Sequence, residues 1–191
     1  MYTKYHGLIF DMDGTIFDTE PLHRKAWLTV FASRKMNINE EDLIPFNGSA
    51  PWEVAKAICT LYGFEADFYI LAEEKKQAVE QLFQTENITV LPAFHILQKW
   101  HGSKPLALGT GSERSTVDIL LSRFEIAGLF SSIVSADRVK NHKPAPDTFL
   151  LCAQEMQVKP DMCLVFEDSR FGIEAARNSG MDVLDVNSFL K

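Results

Sequence analysis

Five short apolar runs constrain this chain more than any other feature: Gly7–Asp11, Leu106–Thr110, Ser132–Ser135, Cys163–Glu167 and Val183–Val186. Each is nearly continuous in hydrophobicity. That is the pattern of strands buried on both faces, as in a parallel sheet covered by helices. Helical patterns lie between the runs. Ser112–Ala127 carries Val117, Leu120, Leu121 and Phe124 at helical spacing. Asp147–Met156 follows Pro144 and Pro146, residues suited to a helix entrance. Ser169–Ser179 stops at Gly180, which suits a left-handed cap. Strand and helix in alternation predict an α/β fold, a Rossmann-like doubly wound parallel sheet of five strands.

One interval breaks the alternation. Residues 18–86 carry no convincing strand and read as helices at Pro21–Lys35, Pro51–Tyr62 and Asp67–Gln84. The loop-like stretches PFNGSAP and YGFEAD separate them. The simplest arrangement is a small helical cap domain, 18–86, inserted into an α/β core domain made of 1–17 and 87–191. Pro92 marks the return to the core. No repeat or low-complexity tract interrupts this organisation.

Composition narrows the function. A chain of 191 residues can bury one good core with a small appendage. Its 46% apolar and 24% charged residues are ordinary for a soluble globular protein. A net charge of -7 argues against nucleic acid as a partner. No stretch is long and apolar enough to span a membrane. The N-terminus reaches Asp11 and Asp13 too soon for a signal peptide, so a cytoplasmic location is expected. Cys59, Cys152 and Cys163 form no CxxC pair and read as reduced, buried thiols.

The polar residues at the strand ends carry the chemistry. In an open α/β sheet, ligands bind beyond the carboxyl ends of the strands. LIFDMDGT brings Asp11 and Asp13 to that edge, LGTGS brings Thr110, LVFEDS brings Glu167 and Asp168, and KPAPD brings Lys143. Crowded carboxylates raise one another's pKa, and a hard divalent cation such as magnesium relieves them. Lys143 adds positive charge. Gly14, Gly109 and Gly111 let backbone N–H groups approach an anion. Ser112 stands at a helix start, where the dipole favours an anion. Together these residues predict a site for phosphate and Mg2+. Taken singly, each has a plainer reading: solvated acids at a turn, a helix cap at GTGS, an exposed lysine. A dinucleotide site is disfavoured because GTGSER lacks the third glycine.

DMDGT, Thr110 in GTGS, Lys143 in KPAPD and Glu167-Asp168 in FEDS resemble, in order, the four signature motifs of the haloacid dehalogenase-like phosphatase superfamily. The helical insert, with DTEPLHRKAW at its start, is similar to the cap of the β-phosphoglucomutase-like subgroup. Within that subgroup the chain most resembles small bacterial phosphatases of fructose 1-phosphate and 6-phosphogluconate. The resemblance implies that Asp11 is the nucleophile, forming an aspartyl-phosphate. It implies that Asp13 is general acid and then base, its backbone carbonyl also on the metal. Thr110 and Lys143 would hold the phosphoryl oxygens, with Gly111, Ser112 and the amides of Met12 and Asp13 beside them. Asp11, Asp13 and Asp168 would bind Mg2+, with Glu167 acting directly or through water.

The cap positions implied in the same way are His23, facing substrate or Asp13, Asn47 in the NGS loop, and Lys75. Trp27 and Trp52 read as cap core, with a sugar-stacking role as the lesser alternative. The sequence departs from the mutase at Pro51, where the mutase has an arginine that grips a second phosphate. This favours a phosphatase over a hexose-phosphate mutase. A signalling receiver domain would carry its phosphorylated aspartate on a later strand and lack the insert, and a true dehalogenase would not need Asp13. A silent binding protein would be expected to have lost Asp11 or Asp13. The expected partner is a small phosphorylated metabolite, a hexose phosphate, handled by a monomer.

Overall fold

The computed structural model describes residues 2–189. Its strands are β1 (Gly7–Phe10), β2 (Leu106–Gly109), β3 (Ser132–Val134), β4 (Cys163–Glu167) and β5 (Asp182–Asp185). They form one parallel sheet in the order β3-β2-β1-β4-β5. The helices are α1 (Glu20–Ser33), α2 (Pro51–Tyr62), α3 (Phe68–Thr85), α4 (Pro92–Trp100), α5 (Arg114–Arg123), α6 (Asp147–Met156) and α7 (Arg170–Asn178).

The strands read as continuous apolar runs because both of their faces are covered. Side chains alternate across a strand. Leu8, Phe10, Leu106, Leu108, Leu164 and Phe166 therefore join one hydrophobic cluster, with Phe94 and Leu97 of α4 and Val117 and Leu120 of α5. Ile9, Ala107, Cys163 and Val165 join the opposite cluster, with Phe149 and Cys152 of α6 and Ala175 and Ala176 of α7. Phe10 and Phe166 stack with ring centroids 4.6 Å apart. All three cysteines are free and buried.

Two features depart most from the sequence reading. The last strand begins at Asp182, in register with Leu164, and Val186 already opens a 3-10 turn. Asp182 escaped the apolar pattern because it lies on an edge strand, where it accepts from Tyr5 Oη at 2.6 Å and Lys4 Nζ at 3.1 Å. Pro92 does more than mark a return. It opens α4, whose Ala93, Phe94 and Leu97 are buried.

Residues 20–71 have a third cluster of their own. Trp27, Val30 and Phe31 of α1 pack with Leu43, with Val54, Ala55 and Ile58 of α2, and with Leu71 of α3. Asp67 caps α3 by accepting from Tyr69 N at 2.9 Å and Ile70 N at 3.1 Å. The C-terminal half of α3 leans on the sheet instead, through Val79 and Phe83. The chain leaving β1 and the chain returning to α4 run side by side. Asp18 N donates to Thr89 O at 2.9 Å and Leu91 N to Ile16 O at 2.8 Å. No helix among the described residues is long and apolar enough to cross a membrane.

Candidate active site

A cavity of about 490 Å³ opens between the carboxyl edge of the sheet and the helical insert. Asp11, Asp13, Thr110, Gly111, Ser112, Lys143, Glu167 and Asp168 line it from the sheet side. His23, Asn47 and Lys75 line it from the insert. These eleven residues named from the sequence thus border one cavity, whereas Met12, Gly14 and Gly109 do not line it. The topology achieves this because β1, β2 and β4 are adjacent and parallel, so their C-terminal ends share an edge.

The two aspartates of DMDGT have opposite surroundings. Asp11 is buried, and its Oδ1 accepts from Lys143 Nζ at 2.7 Å. Its Oδ2 accepts from no donor among the described residues. Burial pushes the Asp11 carboxyl well up; Lys143 works against this, while Glu167, Asp168 and Asp13 add to it. Asp13 meets donors instead. Its Oδ1 accepts from Thr19 Oγ1 at 2.6 Å and from His23 Nε2 at 3.0 Å, and its Oδ2 from Ser112 Oγ at 2.8 Å. Burial alone would raise this carboxyl. The positive charge presented by His23 and the three donated bonds outweigh it and hold Asp13 well below the usual carboxylate range.

Lys143 is the cation at the centre. It also donates to Glu167 Oε1 at 2.8 Å and to Gly109 O at 3.2 Å. Glu167 Oε2 accepts from Ser169 N at 2.6 Å and Ser169 Oγ at 3.0 Å, so both of its oxygens are engaged. Asp168 Oδ1 accepts from Thr15 Oγ1 at 3.1 Å, and Asn187 Nδ2 holds the Asp168 carbonyl at 2.9 Å. Burial, followed by the Glu167 charge, pushes the Asp168 carboxyl up to about 8. Asp11, Glu167 and Asp168 present oxygens that all lie within 4.8 Å of one another. Three acids around one lysine leave excess negative charge, and an all-oxygen donor set suits a hard divalent cation.

From the insert, Lys75 Nζ lies 2.6 Å from His23 Nδ1. Burial brings the Lys75 ammonium down to about 8. Asn47 borders the cavity from the loop before α2. Beside it Gly48, at φ +77°, lies so close that a Cβ there would meet Ser169 Oγ at 2.6 Å.

Three readings of local residues change. Gly109 packs β2 under α6, since a Cβ there would stand 3.0 Å from Cys152 Sγ. Gly14, at φ +75°, makes room for the Asp168 carboxylate. Ser112 precedes α5, which starts at Arg114; its amide donates to Thr110 Oγ1 at 3.0 Å.

Sequence reasoning passed over Thr15, Thr19, Glu20 and Ser169. Thr19 stands where a helix N-cap is expected, yet its hydroxyl makes no cap bond and goes to Asp13 instead. Its spacing from Asp13 gives no sign of this. Both tryptophans border the cavity; Trp27 is buried in the core, as expected, whereas Trp52 is half-buried.

Residues 8–186 match the family model described as haloacid dehalogenase-like hydrolase. The chain is 49% identical over 186 residues to the fructose-1-phosphate phosphatase YqaB of Escherichia coli (strain K12), covering 97% of this chain and 98% of the relative. This chain is a haloacid dehalogenase-like hydrolase. The hydrolase is also 32% identical to a phosphorylated carbohydrates phosphatase of Thermotoga maritima, over 92% of this chain and 82% of that one. Among solved structures it superposes on a β-phosphoglucomutase from Clostridium difficile with a TM-score of 0.79 and 25% identity, covering 98% of this chain and 93% of that one.

Proposed function

We propose that this hydrolase is a magnesium-dependent phosphatase of small sugar phosphates, with fructose 1-phosphate and 6-phosphogluconate as first candidates. The contrast between the two neighbouring aspartates carries the reading. Asp11 keeps one oxygen free of donors beside a buried lysine, as a nucleophile needs. Asp13 is oriented by three donors beside it, as an acid–base group needs. The two relatives named for phosphatase activity support the reaction class, and the one named for fructose 1-phosphate supports the substrate.

In this reading Asp11 attacks phosphorus, and the bond from phosphorus to the sugar oxygen breaks. The approaching phosphoryl charge raises the proton affinity of Asp13, which takes up a proton from solvent as the substrate enters and then passes it to the leaving oxygen. Water attacks the aspartyl-phosphate, Asp13 takes its proton, and phosphate is released. Lys143 and Thr110, with the amides near Gly111 and Ser112, hold the phosphoryl oxygens.

The acid cluster fits Mg2+. Asp11 and Asp168 would hold it, with the Asp13 carbonyl. Glu167, both oxygens engaged, orients Lys143 and would add its charge to the metal's surroundings. When bound, the cation offsets the charge on the carboxylates and the phosphoryl group. Residues 18–86 act as the cap, hinged where the paired segments at 16–18 and 89–91 meet. His23, Lys75 and Asn47 are its contributions to the site. Three buried thiols and the absence of a candidate membrane helix among the described residues support a cytoplasmic enzyme, and we take it to be a monomer.

A mutase must grip a second phosphate. Pro51 borders the cavity where the mutase arginine is expected. Beyond Lys143, which serves the reacting phosphoryl group, the Lys and Arg side chains lining the cavity are Arg24, Lys75 and Lys76, and each already has a partner. This favours hydrolysis of monophosphates.

The test is phosphate release from a panel of sugar phosphates, with magnesium and with a chelator. Magnesium-dependent release concentrated on one or two hexose phosphates is expected. A folded protein that releases nothing from the panel overturns the proposal.

A further inference from the structure

Trp52 is the residue whose position the catalytic scheme does not use. Helical spacing groups it with Ala55 and Cys59, both buried in the insert's cluster. Trp52 nevertheless belongs to no core cluster, because it lies in the first turn of α2, beyond the end of that packing. Its ring instead meets two others. Tyr69, from the first turn of α3, lies nearly parallel to it, with centroids 6.2 Å apart and planes at 23°. His142, from the sheet side, meets it edge-on at 5.1 Å. All three border the catalytic cavity. His142 directly precedes Lys143, so the backbone that presents the buried lysine to Asp11 also presents an aromatic edge to the insert.

These rings are poorly used for stability. Tyr69 is 71% exposed, an unusual state for a large aromatic side chain in a soluble fold. Neither the Trp52 indole N–H nor the Tyr69 hydroxyl donates to any described residue. Aromatic side chains with apolar faces and unspent polar ends suit a ligand that offers both C–H faces and hydroxyls. The same cavity wall supplies Glu20 and Arg24, which can bond hydroxyls.

We propose that Trp52, Tyr69 and His142 form a stacking bracket for the carbon skeleton of the sugar, and that this bracket sets preference for a sugar or sugar-alcohol leaving group over a smaller one. The inference rests on the phosphatase reading for where the phosphoryl group lies. It adds the surface that reads the rest of the substrate, assembled from both sides of the cavity.

The readout is the ratio of kcat/KM for a hexose monophosphate to kcat/KM for acetyl phosphate, which has no sugar to stack. Trp52→Ala is expected to lower this ratio about tenfold, mostly through KM for the hexose phosphate, and Trp52→Phe to restore most of it. Tyr69→Ser lowers it in the same direction; its exposed side chain makes that variant safe for folding. An unchanged ratio in Trp52→Ala and Tyr69→Ser overturns the bracket, because a mere latch between insert and core would affect both substrates alike. Calorimetric binding of the same hexose phosphate to Asp11→Asn, with and without Trp52→Ala, separates this proposal from the phosphatase reading. Trp52-dependent binding by a protein that turns over no sugar phosphate would keep the bracket and sink the phosphatase. Turnover with Trp52-independent selectivity and binding would do the reverse.

Discussion

The Lys143 ammonium lies 2.7 Å from Asp11 Oδ1, and neither side chain is more than 7% exposed. Glu167 shares the same lysine at 2.8 Å. The ion cluster therefore ties the ends of β1 and β4 to the loop after β3. Breaking a buried pair by removing one partner is costly, because the other charge is left uncompensated.

Asp11→Asn separates chemistry from folding. Asparagine keeps the shape, and Lys143 retains Glu167. We expect kcat to fall at least about a thousandfold while the unfolding midpoint shifts little. Full activity in a folded Asp11→Asn protein would remove Asp11 as the nucleophile.

Lys143→Met leaves Asp11 and Glu167 facing each other without a cation. We expect a loss of about 3–5 kcal/mol in stability. Because a divalent cation replaces part of the missing charge, magnesium should stabilise the variant more than the wild type. Denaturant unfolding with magnesium and with a chelator measures both effects. Equal magnesium stabilisation of the two proteins would place the cation away from these carboxylates.

Gly14→Ala drives a Cβ into the Asp168 carboxylate at a backbone φ of +75°. The magnesium concentration for half-maximal activity should rise about 10- to 100-fold, as for other displaced metal partners. Gly63→Ala is the control. Its φ is +70°, but a Cβ there meets nothing within 4 Å. It should cost about 1–2 kcal/mol in stability and leave the magnesium titration unchanged.

Lys75 links stability to pH. Its ammonium is brought down by burial from 10.5 to about 8. Below pH 8 both folded and unfolded chains carry the proton, and the buried charge weighs fully against folding. Between pH 8 and 10.5 the folded chain has released the proton while the unfolded chain still holds it, so the wild type gains stability as pH rises. Lys75→Met lacks this gain. Its loss of the bond to His23, about 1 kcal/mol, is a constant offset. The stability difference between variant and wild type should therefore move in favour of the wild type across that window. A flat difference would mean that Lys75 titrates as in water.

The sequence by itself determined the strands, the polar residues at their ends and the helical interval. Leu8, Ile9 and Phe10, or Leu164, Val165 and Phe166, are apolar at successive positions, and only a strand covered on both faces accommodates that. Asp11, Thr110 and Glu167-Asp168 fall at the ends of such runs, so parallel topology alone brings them to one edge, while Lys143 reaches it from the loop after β3. Only the tertiary structure decided what each group does there. Asp11 and Asp13 are one residue apart and chemically identical. Lys143, 132 residues away, takes the first, while Thr19, His23 and Ser112 take the second. Lys75 sits in the charged stretch EEKKQ, yet it is buried because α3 packs across α1 and carries it to His23. Trp52 has core spacing but lies one turn past the core. Periodicity records which face of a helix is apolar. It does not record where along its length the neighbouring element ends, and that boundary exposes Trp52 to the cavity.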